Sequence, residues 1–153
     1  MSQYFVGRQP IFDRSLNSIG YELLFRANAD AAMAGPLDGD MATSRVISNA
    51  IAEFGLDSLV GNKLAFFNMT EKFLCNPELL SFLPPDRVIL EILEDLPITE
   101  SLVDGATSLV RDGYTLAMDD FIYSDEQKPL LKLAKLVKYD LTQSPVDVLV
   151  DRI

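Results

Sequence analysis

Histidine is absent from this 153-residue chain and Cys75 is its only thiol, so zinc sites of the Cys/His kind and internal disulfides are both excluded. Any metal it holds must be bound by oxygen. Positive charge is scarce too: 13 Lys and Arg stand against 23 Asp and Glu, for a net charge of -10. A surface of that sign repels phosphate, so neither DNA, RNA nor anionic lipid is an expected partner. A phosphate-bearing ligand would need a local cation. No run of about 18 uncharged apolar residues occurs, and the opening MSQYFVGRQPIF lacks a basic segment followed by a long apolar one. Neither a membrane span nor export is indicated, and a cytoplasmic protein is expected. Also missing is a Gly-rich phosphate loop after any strand-like run, which weakens a nucleotide-binding doubly wound sheet.

What is present is a 48% apolar composition, enough for one domain with a sizeable core. The pattern is an alternation of elements. Residues 4–12 and 19–25 read as strands around a polar turn at 13–17, which makes an antiparallel hairpin. Val46, Ile47, Ala50, Ile51 and Phe54 fall at helical spacing, with Gly55 as the C-terminal stop. Short apolar runs follow: LAFFN (64–68), VILEIL (88–93), TLAMDDF (115–121) and KLVKYDL (135–141), as for strands buried on both faces. Helices are expected between them over 70–80, over 99–111 with Thr99 as N-cap and Gly113 as stop, and from Pro129 through Ala134. Strand and helix in alternation imply right-handed βαβ units and a parallel sheet. A doubly wound sheet and a (β/α)8 barrel both satisfy that pattern.

Each strand carries a hydrophilic residue near its carboxyl end: Glu22, Asn68, Glu91, the adjacent Asp119 and Asp120, and Lys138. In barrels and open α/β sheets that edge is where ligands bind. Brought together uncompensated, the four acids would each cost several kcal/mol to desolvate. A divalent cation removes the conflict, and an all-oxygen set suits Mg²⁺ or Mn²⁺ better than zinc or copper. Taken singly, most of these acids have a plainer reading as helix N-caps or solvated loop residues. Glu91 resists it, because three apolar residues precede it and two follow. Lys138 could pair with Asp140 on an exposed face, although Leu136 and Val137 argue for burial. Glu94 reads as a helix-entry acid outside the site. Cys75 reads as a helix-face filler, with no His to activate it.

At these same residues the chain resembles the EAL domain, the family of cyclic di-GMP phosphodiesterases and their degenerate relatives. RQPIFDRSLNSIGYELLFR (8–26) is similar to the family's opening hairpin, with Glu22-Leu23-Leu24 at the signature position. FFNMT, LEILE, LAMDDF and VKYD follow in the family's order. The wording GRQPIFDR, YELLFR and DDF without a following glycine is nearest the EAL-like half of proteins that join EAL to an HDOD domain. The resemblance implies an α/β, TIM-barrel-like (β/α)8 fold with an antiparallel first strand, present as an incomplete barrel within residues 1–153. It also implies one cation held by Glu22, Asn68, Glu91 and Asp119, and a second by Asp119, Asp120 and a later acid. By the same resemblance, Glu22 belongs to the catalytic machinery as well as to the metal set, and Lys138 is catalytic by orienting the attacking water. Arg26 contacts phosphate and Gln9 a guanine. The implied partners are cyclic di-GMP and either a second copy or a C-terminal regulatory domain.

Two departures bear on activity. Ile122 stands where active members carry Gly, and IYSDEQKP (122–129) lacks the small and hydroxyl residues of the family's loop. The chain stops at Ile153, after the sixth strand-like run. The primary expectation is a degenerate signalling domain that binds nucleotide, metal or partner. The alternative is an active phosphodiesterase that opens cyclic di-GMP to the linear dinucleotide. A third, from chemistry alone, is another Mg-dependent barrel enzyme with Lys138 as base.

Overall fold

The computed structural model describes residues 5–26, 55–120 and 123–140, together with Asp40, Ser44, Ile47 and Ile51. Strands β1 (Phe5–Phe12) and β2 (Ser18–Arg26) pair antiparallel, as the opening hairpin predicts. Asp13 closes their turn: its Oδ1 accepts the backbone N–H of Ser15 at 2.8 Å and of Asn17 at 2.9 Å. From β2 onward the chain adds β3 (Leu64–Met69), β4 (Val88–Ile92), β5 (Thr115–Met118) and β6 (Leu136–Val137), each parallel to the strand before it. The spatial order of the six strands is their order in the chain. This is a mixed α/β half-barrel, and the doubly wound alternative falls away, since that topology reverses direction within the sheet.

Helices α1 (Gly55–Val60), α2 (Glu71–Cys75), α3 (Glu100–Arg111) and α4 (Lys128–Leu133) are the connections among the described residues. Ile47 and Ile51 are helical as predicted, while Val46, Ala50 and Phe54 lie outside the described residues. Gly55 has φ 69° but opens α1, a short helix absent from the sequence reading. The single helix expected over 70–80 is broken. Pro77 cannot continue α2, so Asn76 leaves helical geometry and a 3-10 turn (Pro77–Leu80) follows. Thr99 caps α3 as predicted, its side chain accepting the N–H of Leu102 at 3.2 Å. The last two strand readings were too long: β5 ends at Met118 and β6 comprises two residues. No helix among the described residues is long and apolar enough to cross a membrane.

Side-chain alternation gives the sheet two faces. Residues such as Phe67, Met69, Leu90, Ile92, Leu116 and Met118 pack outward against the helices and form the main core. Phe66, Ile89 and Ala117 face inward, with Ile11, Ile19, Leu64 and Leu136 against them. Toward the carboxyl ends the inner face turns polar.

Helix α3 packs against α2 at Gly105, where a Cβ would lie 1.9 Å from the carbonyl oxygen of Leu74. Backbone cannot yield as a flexible side chain does. Gly105→Ala should therefore destabilise the fold by about 1–3 kcal/mol despite its gain in helix propensity. Thermal unfolding reads this as a lower Tm; an unchanged Tm would mean that the two helices part at no cost.

Candidate metal centre

Glu91 lies in β4, all five residues of which are buried, and it has no exposed surface. Asn68 is its register partner on β3, and Glu22 on β2 faces the same interior one strand further on. Asp119 follows directly on β5, its backbone N–H still donating to Ile92 O at 3.0 Å. Lys138 follows directly on β6, its backbone N–H donating to Met118 O at 2.8 Å. The strand ladder thus delivers all five side chains to one rim.

There they converge. Lys138 Nζ lies 2.8 Å from Glu22 Oε2 and 3.0 Å from Asp119 Oδ1, and it donates a short hydrogen bond to Glu91 Oε2. The contact with Asp119 is an ion pair by distance, although Oδ1 receives no well-aligned hydrogen bond among the described residues. Asn68 Nδ2 donates to Glu22 Oε1 at 2.7 Å. One oxygen each from Glu22, Glu91 and Asp119 lies within 4.8 Å of the others, a spacing that fits a shared divalent cation. Glu91 Oε1 is buried and has no hydrogen-bond partner among the described residues.

Electrostatics follow from burial. Desolvation pushes the Glu91 carboxyl up to about 8, the neighbouring Glu22 pushes the same way, and Lys138 opposes both. Burial likewise raises Asp119, against the pull of Lys138. For Lys138, burial alone would favour the neutral amine, but Glu91 and Glu22 outweigh it and hold the ammonium protonated.

The other residues singled out in the sequence have different placements. Asp120 lies outside this three-carboxylate cluster; its Oδ1 accepts the backbone N–H of Asp140 at 3.2 Å. Gln9 is exposed on β1 opposite Glu22. Arg26 closes β2, and its side chain lies outside the described residues, as does Ile122. The surface pairing of Lys138 with Asp140 is not adopted, because the three inward acids offer the ammonium more. Cys75 is half-buried at the end of α2 and packs against the core, in keeping with a filler role. Thr70 and Asp40 were missed: the Thr70 hydroxyl donates a short hydrogen bond to Asp40 Oδ1 just beyond β3. Thirty residues separate them, and no local pattern links the two.

No protein-family model matches the chain. YuxH of Bacillus subtilis (strain 168), an uncharacterised protein, is 38% identical over 135 residues, which is 88% of this chain and 32% of that protein. The cyclic di-GMP phosphodiesterase CdgJ of Vibrio cholerae (El Tor Inaba N16961) is 34% identical over 143 residues, 94% of this chain and 33% of that one. The chain therefore spans about a third of the length of these relatives. Among solved structures, YkuI of Bacillus subtilis, a protein with an EAL domain in complex with cyclic di-GMP and calcium, superposes with TM-score 0.64 at 22% identity. That match covers 96% of this chain and 44% of YkuI. The EAL domain of Mycobacterium smegmatis DcpA gives TM-score 0.64 at 23% identity, over 98% of this chain and 74% of that domain. Strand order, opening hairpin and sequence likeness agree: the chain has the fold of these EAL-domain structures, with the barrel incomplete here, and is similar in sequence to part of a cyclic di-GMP phosphodiesterase.

Proposed function

We propose that the chain is the cation-holding part of a cyclic di-GMP signalling domain, which binds the nucleotide through a divalent metal. The observation that carries this reading is a charge imbalance. Three carboxylates surround one ammonium, leaving two negative charges when all are ionised, and one buried oxygen of Glu91 lacks a partner among the described residues. In this reading Glu22, Asn68, Glu91 and Asp119 hold Mg²⁺ or Mn²⁺, and Asp120 offers a further oxygen at the same rim. When bound, such a cation would offset the repulsion between an acidic protein and a phosphodiester and polarise a phosphate oxygen. Arg26 contributes a planar guanidinium for phosphate and Gln9 an exposed amide for a guanine edge. The protein would act in the cytoplasm, as a homodimer or joined to a regulatory domain of the HDOD kind.

Hydrolysis is the second reading, and Lys138 favours it. Its ammonium sits among the acids and can orient a water with the protons it keeps. The same protonation argues against a barrel enzyme that uses Lys138 as base, because a lysine held in the charged form takes no proton at neutral pH.

Full-length protein incubated with Mn²⁺ and cyclic di-GMP separates the readings. Binding by calorimetry without product supports the non-hydrolytic domain; linear dinucleotide supports the enzyme; no binding at all rejects both. Glu22→Ala should weaken Mn²⁺ binding by about tenfold or more and abolish any turnover. Retained affinity in that variant would reject the proposed ligand set.

A pH dependence follows as well. The Glu91 pKa is raised from 4.5 to about 8 on folding, so its share of stability is whole below about 4.5 and is lost as pH rises toward 8. In chelator, stability should fall over that window by a few kcal/mol, on the order of what a shift of several pH units implies. Glu91→Gln should remove most of the fall, and Mn²⁺ should restore wild-type stability more at pH 8 than at pH 5. Denaturant unfolding across pH measures all three; a flat wild-type profile would contradict the burial of an ionisable Glu91.

A further inference from the structure

Asp120 has φ 42°, in the left-handed region that residues other than glycine seldom adopt. Asp and Asn tolerate that region best among side-chain-bearing residues. The rungs of the β5–β6 ladder explain why it is used. Lys135 N–H donates to Leu116 O and Lys138 N–H to Met118 O, so the accepting carbonyls step by two along β5 and the next in line for the chain beyond Lys138 is that of residue 120. In its place the side-chain Oδ1 of Asp120 accepts the Asp140 N–H at 3.2 Å. A carboxylate has replaced a backbone carbonyl as the last rung.

We propose that Asp120 is a positioning residue: its carboxylate latches the chain beyond β6 to the end of β5 and so fixes Lys138 among Glu22, Glu91 and Asp119. Lys138 lies between two rungs, its own amide bound to Met118 and the amide two residues on bound to Asp120. Pinning on both sides limits the play of a side chain that must meet three carboxylates from other strands at once. The latch belongs to the protein's own scaffold and holds whichever ligand the rim takes. It gives Asp120 a task distinct from cation binding, and commits Oδ1 to the backbone.

The test uses the full-length protein and three substitutions. Asp120→Asn keeps both an acceptor oxygen and tolerance of the left-handed turn. Asp120→Gly keeps the turn and loses the acceptor, and Asp120→Ala loses both. Hydrogen exchange of the Asp140 amide in metal-free buffer should be at least about tenfold faster in Asp120→Gly and Asp120→Ala, and close to wild type in Asp120→Asn. Labelling of Lys138 by an amine-reactive reagent should rise in the same two variants only. Exchange unchanged in the Gly variant would overturn the latch. So would an Asn variant as fast as Gly, since charge rather than an acceptor would then be what matters. If the Gly and Ala variants fail to fold, the wild-type Asp140 amide decides: protection supports the latch, and exchange at the rate of an open chain overturns it.

Discussion

The burial of Glu91 is the constraint on which the rest of the rim depends. A carboxylate in the middle of a strand covered on both faces costs several kcal/mol unless charge and hydrogen bonds meet it there. Shifting β4 by one residue would relieve the cost by turning Glu91 outward, but it would send Ile89 outward with it and bring Leu90 and Ile92 to the inner face. The hydrophobic pattern therefore forces the acid inward, and Lys138 must come to it. An electrostatic problem set by packing on one strand is answered by a side chain 47 residues away.

The rim can be exacting because what lies behind it is rigid. Tyr114 is buried at the start of β5, and its hydroxyl lies 2.7 Å from Leu80 O and 2.9 Å from Leu83 O, in the turn before β4. One phenol thus ties the entries of β4 and β5 together. With both strands held at their amino ends and packed outward on α3, their carboxyl ends arrive in fixed register. Glu91 and Asp119 then differ in height by the two residues that separate Ala117 from Asp119, since Ala117 is the partner of Glu91.

How legible this was depended on the range of each interaction. The hairpin, the four parallel strands, α3 with its Thr99 cap and the inward set Glu22, Asn68, Glu91, Asp119 and Lys138 follow from periodicities or punctuation within a few residues. The break at Pro77 was equally local and was missed because the apolar spacing of residues on either side reads as one helix. Asp120 is a different case. Its acidity was visible, but its engagement by the Asp140 amide depends on a rung that exists only once β5 and β6 are paired. Thr70 and Asp40 meet for a similarly non-local reason. That Lys138 faces inward was legible from Leu136 and Val137 beside it, but its contact with three acids from other strands was not, since a local pair with Asp140 was also open to it.

Curvature joins these elements. Neighbouring strands lie about 4.8 Å apart, so on a flat sheet β2 and β6 would be separated by four spacings, roughly 19 Å. An extended lysine and glutamate together would scarcely bridge that gap, and could not do so while also meeting Glu91 and Asp119 between them. Yet Lys138 Nζ lies 2.8 Å from Glu22 Oε2. The strands must curl inward for the contact to exist, and the contact in turn holds the first parallel strand to the last across the open side of the arc. Curling the sheet and assembling the charged rim are therefore one event, in which the apolar layer of Phe66, Ile89 and Ala117 lines the inner curve and the ion pairs fix its end point.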